Sequence, residues 1–163
     1  MSTATETLVS KSTNTALAFT KAYYATLDLP LDKKSAPLLQ FYQATAKVAW
    51  NGNGIPQSEL NGFFEKLPKS DHRVQSIDAH PIPGSVGPGN NMTLMVAVTG
   101  QARRSFHLSP TYTPQGNFDV LPRVFSQSFV LTYDPNSPRS STVDDETADG
   151  TRYMIIADSY RFV

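Results

Sequence analysis

Four residues of this chain have the types and spacing for proton transfer. If residues 72–80 form one strand, His72, Asp78 and His80 share a side, because side chains alternate with a period of two. Asp158 falls on the aromatic side of the last strand. A carboxylate in apolar surroundings has a raised pKa and can act as a general base, with a histidine as proton partner. The local context argues the other way. His72 sits beside a turn and Pro81 follows His80 directly, so both read as strand ends, and Asp78 and Asp158 read first as hydrogen-bonded structural carboxylates.

Other chemistries find less support. There is no cysteine, hence no disulfide framework, thiolate zinc site or cysteine nucleophile, which fits a reducing compartment. Three histidines without a recognised spacing make no metal site, and no cofactor is expected. The stretch GSVGPG at 84–89 lacks the strand-to-helix context of a phosphate cradle and reads as a loop. Arg103, Arg104, Arg123 and Arg152 could gather into a patch that touches RNA phosphates, yet nothing in the sequence sets their geometry. The chain carries 14 Lys plus Arg against 14 Asp plus Glu, so no overall field draws it to nucleic acid or an anionic membrane. No stretch approaches the roughly 18 apolar residues of a membrane span, and the first residues lack the apolar run of a signal peptide. No membrane insertion is expected, and the chain reads as soluble and intracellular.

The elements that must position these groups come in two blocks. Ser12, Thr13 or Asn14 caps a helix with Ala16, Phe19, Tyr23 and Leu27 at steps of three and four, stopped by Pro30. A second helix, starting after Asp32 or Ser35, places Leu38, Leu39, Tyr42 and Ala46 on one side and runs into the short strand KVAW. Asn51-Gly52-Asn53-Gly54 then supplies positive-φ positions for a reversal. Leu60, Phe63, Phe64 and Leu67 mark a third helix, and Trp50 is expected to pack where strand and helix meet. After Pro68 the period becomes alternating: Arg73 to Ile82, Met92 to Gln101, Arg123 to Tyr133 and Tyr153 to Val163. At 163 residues, one domain with one core is expected. Residues 1–12 are expected to be disordered, and loops 81–91, 109–117 and 134–150 mobile. The last carries an acidic tip of Asp144, Asp145, Glu146 and Asp149.

Helices first and strands afterwards predict an α+β domain with a curved antiparallel sheet wrapped around three helices. The aromatic faces of the strands, such as Phe125, Gln127, Phe129 and Leu131, should meet the helices. The opposite faces carry Val124, Ser126, Ser128 and Val130; Met95 and Ala97; and Ile155, Ala157, Ser159 and Arg161. A solvated sheet face normally alternates in Lys, Glu, Arg and Gln. This one is mostly small and weakly polar, so it reads as a surface to be covered by another protein.

The stretches WNGNG, FFEKLPKSDHRVQSIDAHPI, RVFSQSFVLTYD and YMIIADSYRFV resemble, in order and spacing, the nuclear transport factor 2-like family. The Trp50-Asn51-Gly52 turn and the strand Phe125 to Phe129 look most similar to its branch of small subunits of heterodimeric mRNA export receptors, and the long loops look fungal. The resemblance implies a cone-shaped fold whose sheet packs against a like-folded domain of the large export subunit. It implies no catalysis, and a life in the nucleus and at the nuclear pore with shuttling to the cytoplasm. It also implies that Arg161 pairs with an acidic residue of the partner. Phe-Gly pore proteins would be bound mainly through the partner, although Tyr112 and Phe118 could receive such a peptide, and any RNA contact would be weak. Two departures stand out. His80 replaces a frequent glutamine, and loops 81–91 and 134–150 are long.

Two alternatives share the fold. The same cone hosts isomerases and dehydratases, which would use Asp78 or Asp158 with His80 inside a deep cavity. A homodimeric transport factor carrying a small GTPase would use the same sheet face.

Overall fold

The computed structural model describes residues 4–85, 91–104, 122–139 and 152–163. Its order is α1 (Ala4–Leu27), α2 (Leu31–Leu39), β1 (Tyr42–Trp50), β2 (Asn53–Ile55), α3 (Gln57–Lys66), β3 (Ser70–Pro81), β4 (Leu94–Arg104), β5 (Arg123–Tyr133) and β6 (Tyr153–Phe162). The helices pack on an open six-stranded sheet with the order β2-β1-β6-β5-β4-β3. It is mixed rather than antiparallel, because β1 and β6 run parallel. Tyr42 and Ala46, expected on a helix, belong to β1, where alternation buries Ala46, Val48 and Trp50. The spacing of Leu38, Tyr42 and Ala46 fits both periods, and Pro37, which removes a helical N–H donor, sits just before the helix ends. Residues 1–12 were expected to be disordered, but the chain is helical from Ala4, so Ser12 caps nothing and instead donates to the Leu8 carbonyl at 2.7 Å.

The core forms where α1 lies on the sheet. Ala16, Phe19, Tyr23 and Leu27 are buried along one stripe, as their spacing predicts. Phe19 and Tyr23 meet the Phe129 ring of β5 edge-on at 5.7 and 4.9 Å, and both touch Phe41. Trp50 stacks on Tyr160 of β6 at 4.0 Å and meets Phe63 of α3 at 5.2 Å, so it does pack where strand meets helix. The reversal after it is a two-residue hairpin into β2, with both Asn51 (φ 50°) and Gly52 (φ 81°) left-handed. Asn51 also stitches the parallel neighbour: its N–H donates to Tyr160 O at 2.7 Å, and its side-chain oxygen accepts from Phe162 N–H at 3.0 Å.

Two β-bulges control which way side chains point. In β3 the register slips between Val74 and Ser76, leaving Gln75 without a partner on β4. In β6, Ala157 pairs with Val130 but Ile155 pairs with Leu131, leaving Ile156 as the extra residue. Each bulge inverts the alternation on one side of it.

Candidate partner interface

The outward face of β3 to β6 carries the residues expected there, with one correction. Met95 is 49 % and Val124 46 % exposed, and Ala97, Ser128, Ser159 and Arg161 are exposed as well. Ser126, Val130 and Ala157 are half-buried on the same face. Ile155 is not there. It is 0 % exposed, because the Ile156 bulge turns it to the inner side opposite Leu131, where its N–H donates to Phe41 O at 2.7 Å. A one-residue bulge leaves no mark in an apolar run such as YMIIA, so parity counting from Arg161 back to Ile155 goes wrong by one.

Sequence reasoning missed part of this face. Lys47 and Ala49 of β1 pair with Ala157 and Ser159 and so extend it; they lie in the expected strand KVAW, but that strand was not assigned to the outer face. Ser76, Asp78 and His80 lie opposite Thr99, Ala97 and Met95 and belong to it too. At its far end Asp71, Arg73, Gln101, Arg103 and Pro122 line a hollow of about 20 Å³. Arg161 makes no ion pair among the described residues, whereas Arg73 approaches Asp71 at 3.8 Å.

The proposed proton-transfer set is taken apart by the β3 bulge. Asp78 and His80 point outward and are exposed, while His72, on the other side of Gln75, points inward opposite Ala102. There His72 Nδ1 meets Asp28 Oδ1 at 2.6 Å and Nε2 meets the Tyr160 hydroxyl at 2.8 Å. A carboxylate only accepts, so Nδ1 carries the proton, and Tyr160, itself hydrogen-bonded by Arg104, donates to Nε2. Asp28 further accepts from Ser70 Oγ at 2.9 Å and His72 N–H at 2.8 Å, which latches the end of α1 to the start of β3.

Asp158 lies at the centre of the cone, 4 % exposed. Tyr42 donates to its Oδ2 at 2.6 Å and Gln127 Nε2 to its Oδ1 at 2.8 Å, while Tyr24 donates to Gln127 Oε1 at 2.6 Å and the Tyr23 and Tyr42 hydroxyls meet at 2.8 Å. Burial raises the Asp158 pKa to about 6, against which the Tyr42 and Gln127 hydrogen bonds pull it down. Burial also holds the Tyr23 and Tyr42 hydroxyls well above their ordinary range. Both carboxylate oxygens are thus occupied by protein donors, as a buried polar group requires.

The arginines divide between the two ends of the sheet. Arg104 and Arg123 flank the Phe162 ring at 4.5 and 5.1 Å, and Arg103 follows on the outward side of the same end. Arg152 joins none of them: its carbonyl accepts from Asp134 N–H at the opposite end of β5 and β6. The base of the 134–150 loop is tied down by Arg139, which lies 3.8 Å over Phe41 and donates to Tyr153 O at 2.7 Å. Tyr112, Phe118, the 109–117 loop and the acidic tip at Asp144 to Asp149 lie outside the described residues. Among the described residues no three His, Asp or Glu side chains converge as a metal site, and no helix is long and apolar enough to cross a membrane.

The helices thus cover one side of an α+β sheet and leave its weakly polar outer face bare among the described residues. Residues 15–138 match the Nuclear transport factor 2 (NTF2) domain, and the chain belongs to that family. It is 31 % identical over 158 residues to the NTF2-related export protein 1 of Bos taurus, covering 96 % of this chain and 92 % of the relative. Its fold matches a chain of the Candida albicans Mtr2-Mex67 M domain complex with a TM-score of 0.66 at 18 % identity, covering 93 % of this chain and 96 % of that one. It also matches a putative dehydratase of the NTF2-like family from Streptomyces avermitilis, with a TM-score of 0.62 at 8 % identity and coverage of 94 % and 98 %.

Proposed function

We propose that this chain is the non-enzymatic small subunit of a heterodimeric mRNA export receptor, which pairs through its outer sheet face with the like-folded domain of the large subunit. The pair would pass the nuclear pore and shuttle between nucleus and cytoplasm. The observation that carries this reading is the outer face itself. Met95, Ala97, Val124, Val130 and Ala157 stand there among serines and threonines, on a sheet whose helices all pack on the other side. About 800 Å² per partner is typical of a specific complex, and four long strands offer a surface of that order. The likeness to the export relative and to the Mtr2-Mex67 fold supports the same partner class. The catalytic alternative loses support because Asp78 and His80 face away from Asp158.

Co-expression with the large subunit's NTF2-like domain, followed by size-exclusion chromatography with light scattering, tests this. A one-to-one complex is expected, abolished by Met95→Asp at unchanged thermal stability. A chain that stays monomeric and never co-elutes would remove the proposal.

A further inference from the structure

The outer face is uneven in charge, and that unevenness says what kind of partner it fits. Among the described residues its charged side chains are Lys47, Arg73, Arg103 and Arg161 against Asp71 and Asp78. Three of the four cations sit at one end, where β3 begins and β4 and β6 finish. The single carboxylate there, Asp71, is already near Arg73. Asp78 lies at the other end of β3, beside His80. The chain as a whole is neutral, so this is a local surplus and not a global field.

Resting on the proposed pairing, we infer that the partner's facing surface is acidic. It presents carboxylates to the hollow between Arg73 and Arg103, a second charged contact separate from Arg161. The geometry of the hollow supports this. Arg73 lies directly across from Gln101, and Arg103 directly across from Asp71, so two guanidinium stems rise from adjacent strands around one depression. A guanidinium covered by a partner without a carboxylate is costly, because its hydration is lost and not replaced. The same surplus works against a second copy of this chain. Stacking the face on itself doubles the excess positive charge whichever way the two sheets are turned, since both partners bring it. Like-charge juxtaposition rejects wrong partners in this manner.

The test uses the heterodimer with the large subunit's NTF2-like domain, and measures Kd between 50 and 300 mM salt. Four forms are compared: wild type, Arg73→Glu with Arg103→Glu, Arg73→Lys with Arg103→Lys, and Met95→Asp. Arg73 is exposed and Arg103 half-exposed, so none of the arginine variants should alter the melting temperature. The double glutamate should weaken pairing about tenfold or more and flatten its salt dependence, with the double lysine in between. A double glutamate that pairs like wild type with the same salt slope, while Met95→Asp still disrupts, overturns the acidic-partner inference and leaves the pairing intact. If Met95→Asp pairs normally too, the sheet face is not the interface and both ideas fall. A wild-type chain that sediments alone as a stable dimer through this face also overturns the inference.

Discussion

The Tyr42 hydroxyl donates to Asp158 Oδ2 at 2.6 Å, joining the first residue of β1 to the middle of the last strand in the driest part of the molecule. Two features follow from that pair. It ties the start of β1 to the middle of its parallel neighbour β6, and it leaves a carboxylate buried with donors but, among the described residues, without an ion-paired cation.

Stability should therefore depend on pH through Asp158. Its folded pKa of about 6 exceeds the ordinary 3.8, so the folded state binds the proton more tightly than the unfolded chain. Stability falls as pH rises from about 4 to 6, and the loss levels off above that, to a ceiling of about 3 kcal/mol. Asp158→Asn should flatten this component and match or exceed wild type at pH 7.5. Asp158→Ala should be less stable than either, since Tyr42 and Gln127 lose their acceptor. Urea unfolding at pH 4.5, 6 and 7.5 measures all three.

Lys34 should be a stability liability. Its side chain is fully buried, its ammonium donates to Pro68 O at 3.0 Å, and burial pushes its pKa down to about 8. The folded pKa is depressed, so stability rises with pH between about 8 and 10.5 as the folded form sheds a proton that the unfolded chain still holds. Lys34→Met should raise stability at pH 7 by about 2 kcal/mol, after allowing for the lost hydrogen bond. Thermal melts at pH 7 and 9.5 check this, the gain shrinking at the higher pH.

Asp28 should be hard to replace. Its carboxylate satisfies Ser70 Oγ, His72 N–H and His72 Nδ1, and without it three donors are left in a largely buried corner. Asp28→Ala should cost about 3 kcal/mol, and hydrogen exchange should speed up first in residues 70–73.

Gly100 faces Val74 at the β3 bulge, and a Cβ there would collide with the Arg73 carbonyl oxygen and press on the Phe125 ring. Gly100→Ala should destabilise by about 3 kcal/mol, whereas Gly62→Ala, with open space around it, should be neutral or slightly stabilising. Denaturant midpoints compare the two.

The long loop should divide at Arg139. Arg139→Ala removes a guanidinium that covers Phe41 and Phe19 and should cost about 2 kcal/mol. Deleting residues 140–149 should leave both melting temperature and pairing close to wild type.

Much of this molecule could be read without coordinates. Buried aromatics recur at helical steps in α1, and buried residues at alternate positions in β4 (Leu94, Val96, Val98) and β5 (Phe125, Phe129, Leu131), so which faces turn to the core was legible from periodicity alone. The absence of charge on the reverse positions, Met95, Ala97, Val124, Ser126 and Ser128, exposed the outer face in the same way. What periodicity could not supply was the phase beyond a bulge. His72, Asp78 and His80 look like one catalytic row in the sequence, and Ile155 looks like a partner of Ala157, because counting by twos assumes an unbroken ladder.

The ladder breaks where the sheet must curve around the helices, at Gln75 and Ile156, and the residue that drops out is chosen by cross-strand pairing across distances of tens of residues. The parallel union of β1 with β6 is likewise non-local: it depends on Tyr42 and Asp158 meeting in the core, 116 positions apart in the chain. Local residue chemistry thus determined which side of each strand is oily and which is bare. Only the closed tertiary structure decided where those sides exchange, since a bulge is paid for by contacts that no stretch of sequence contains.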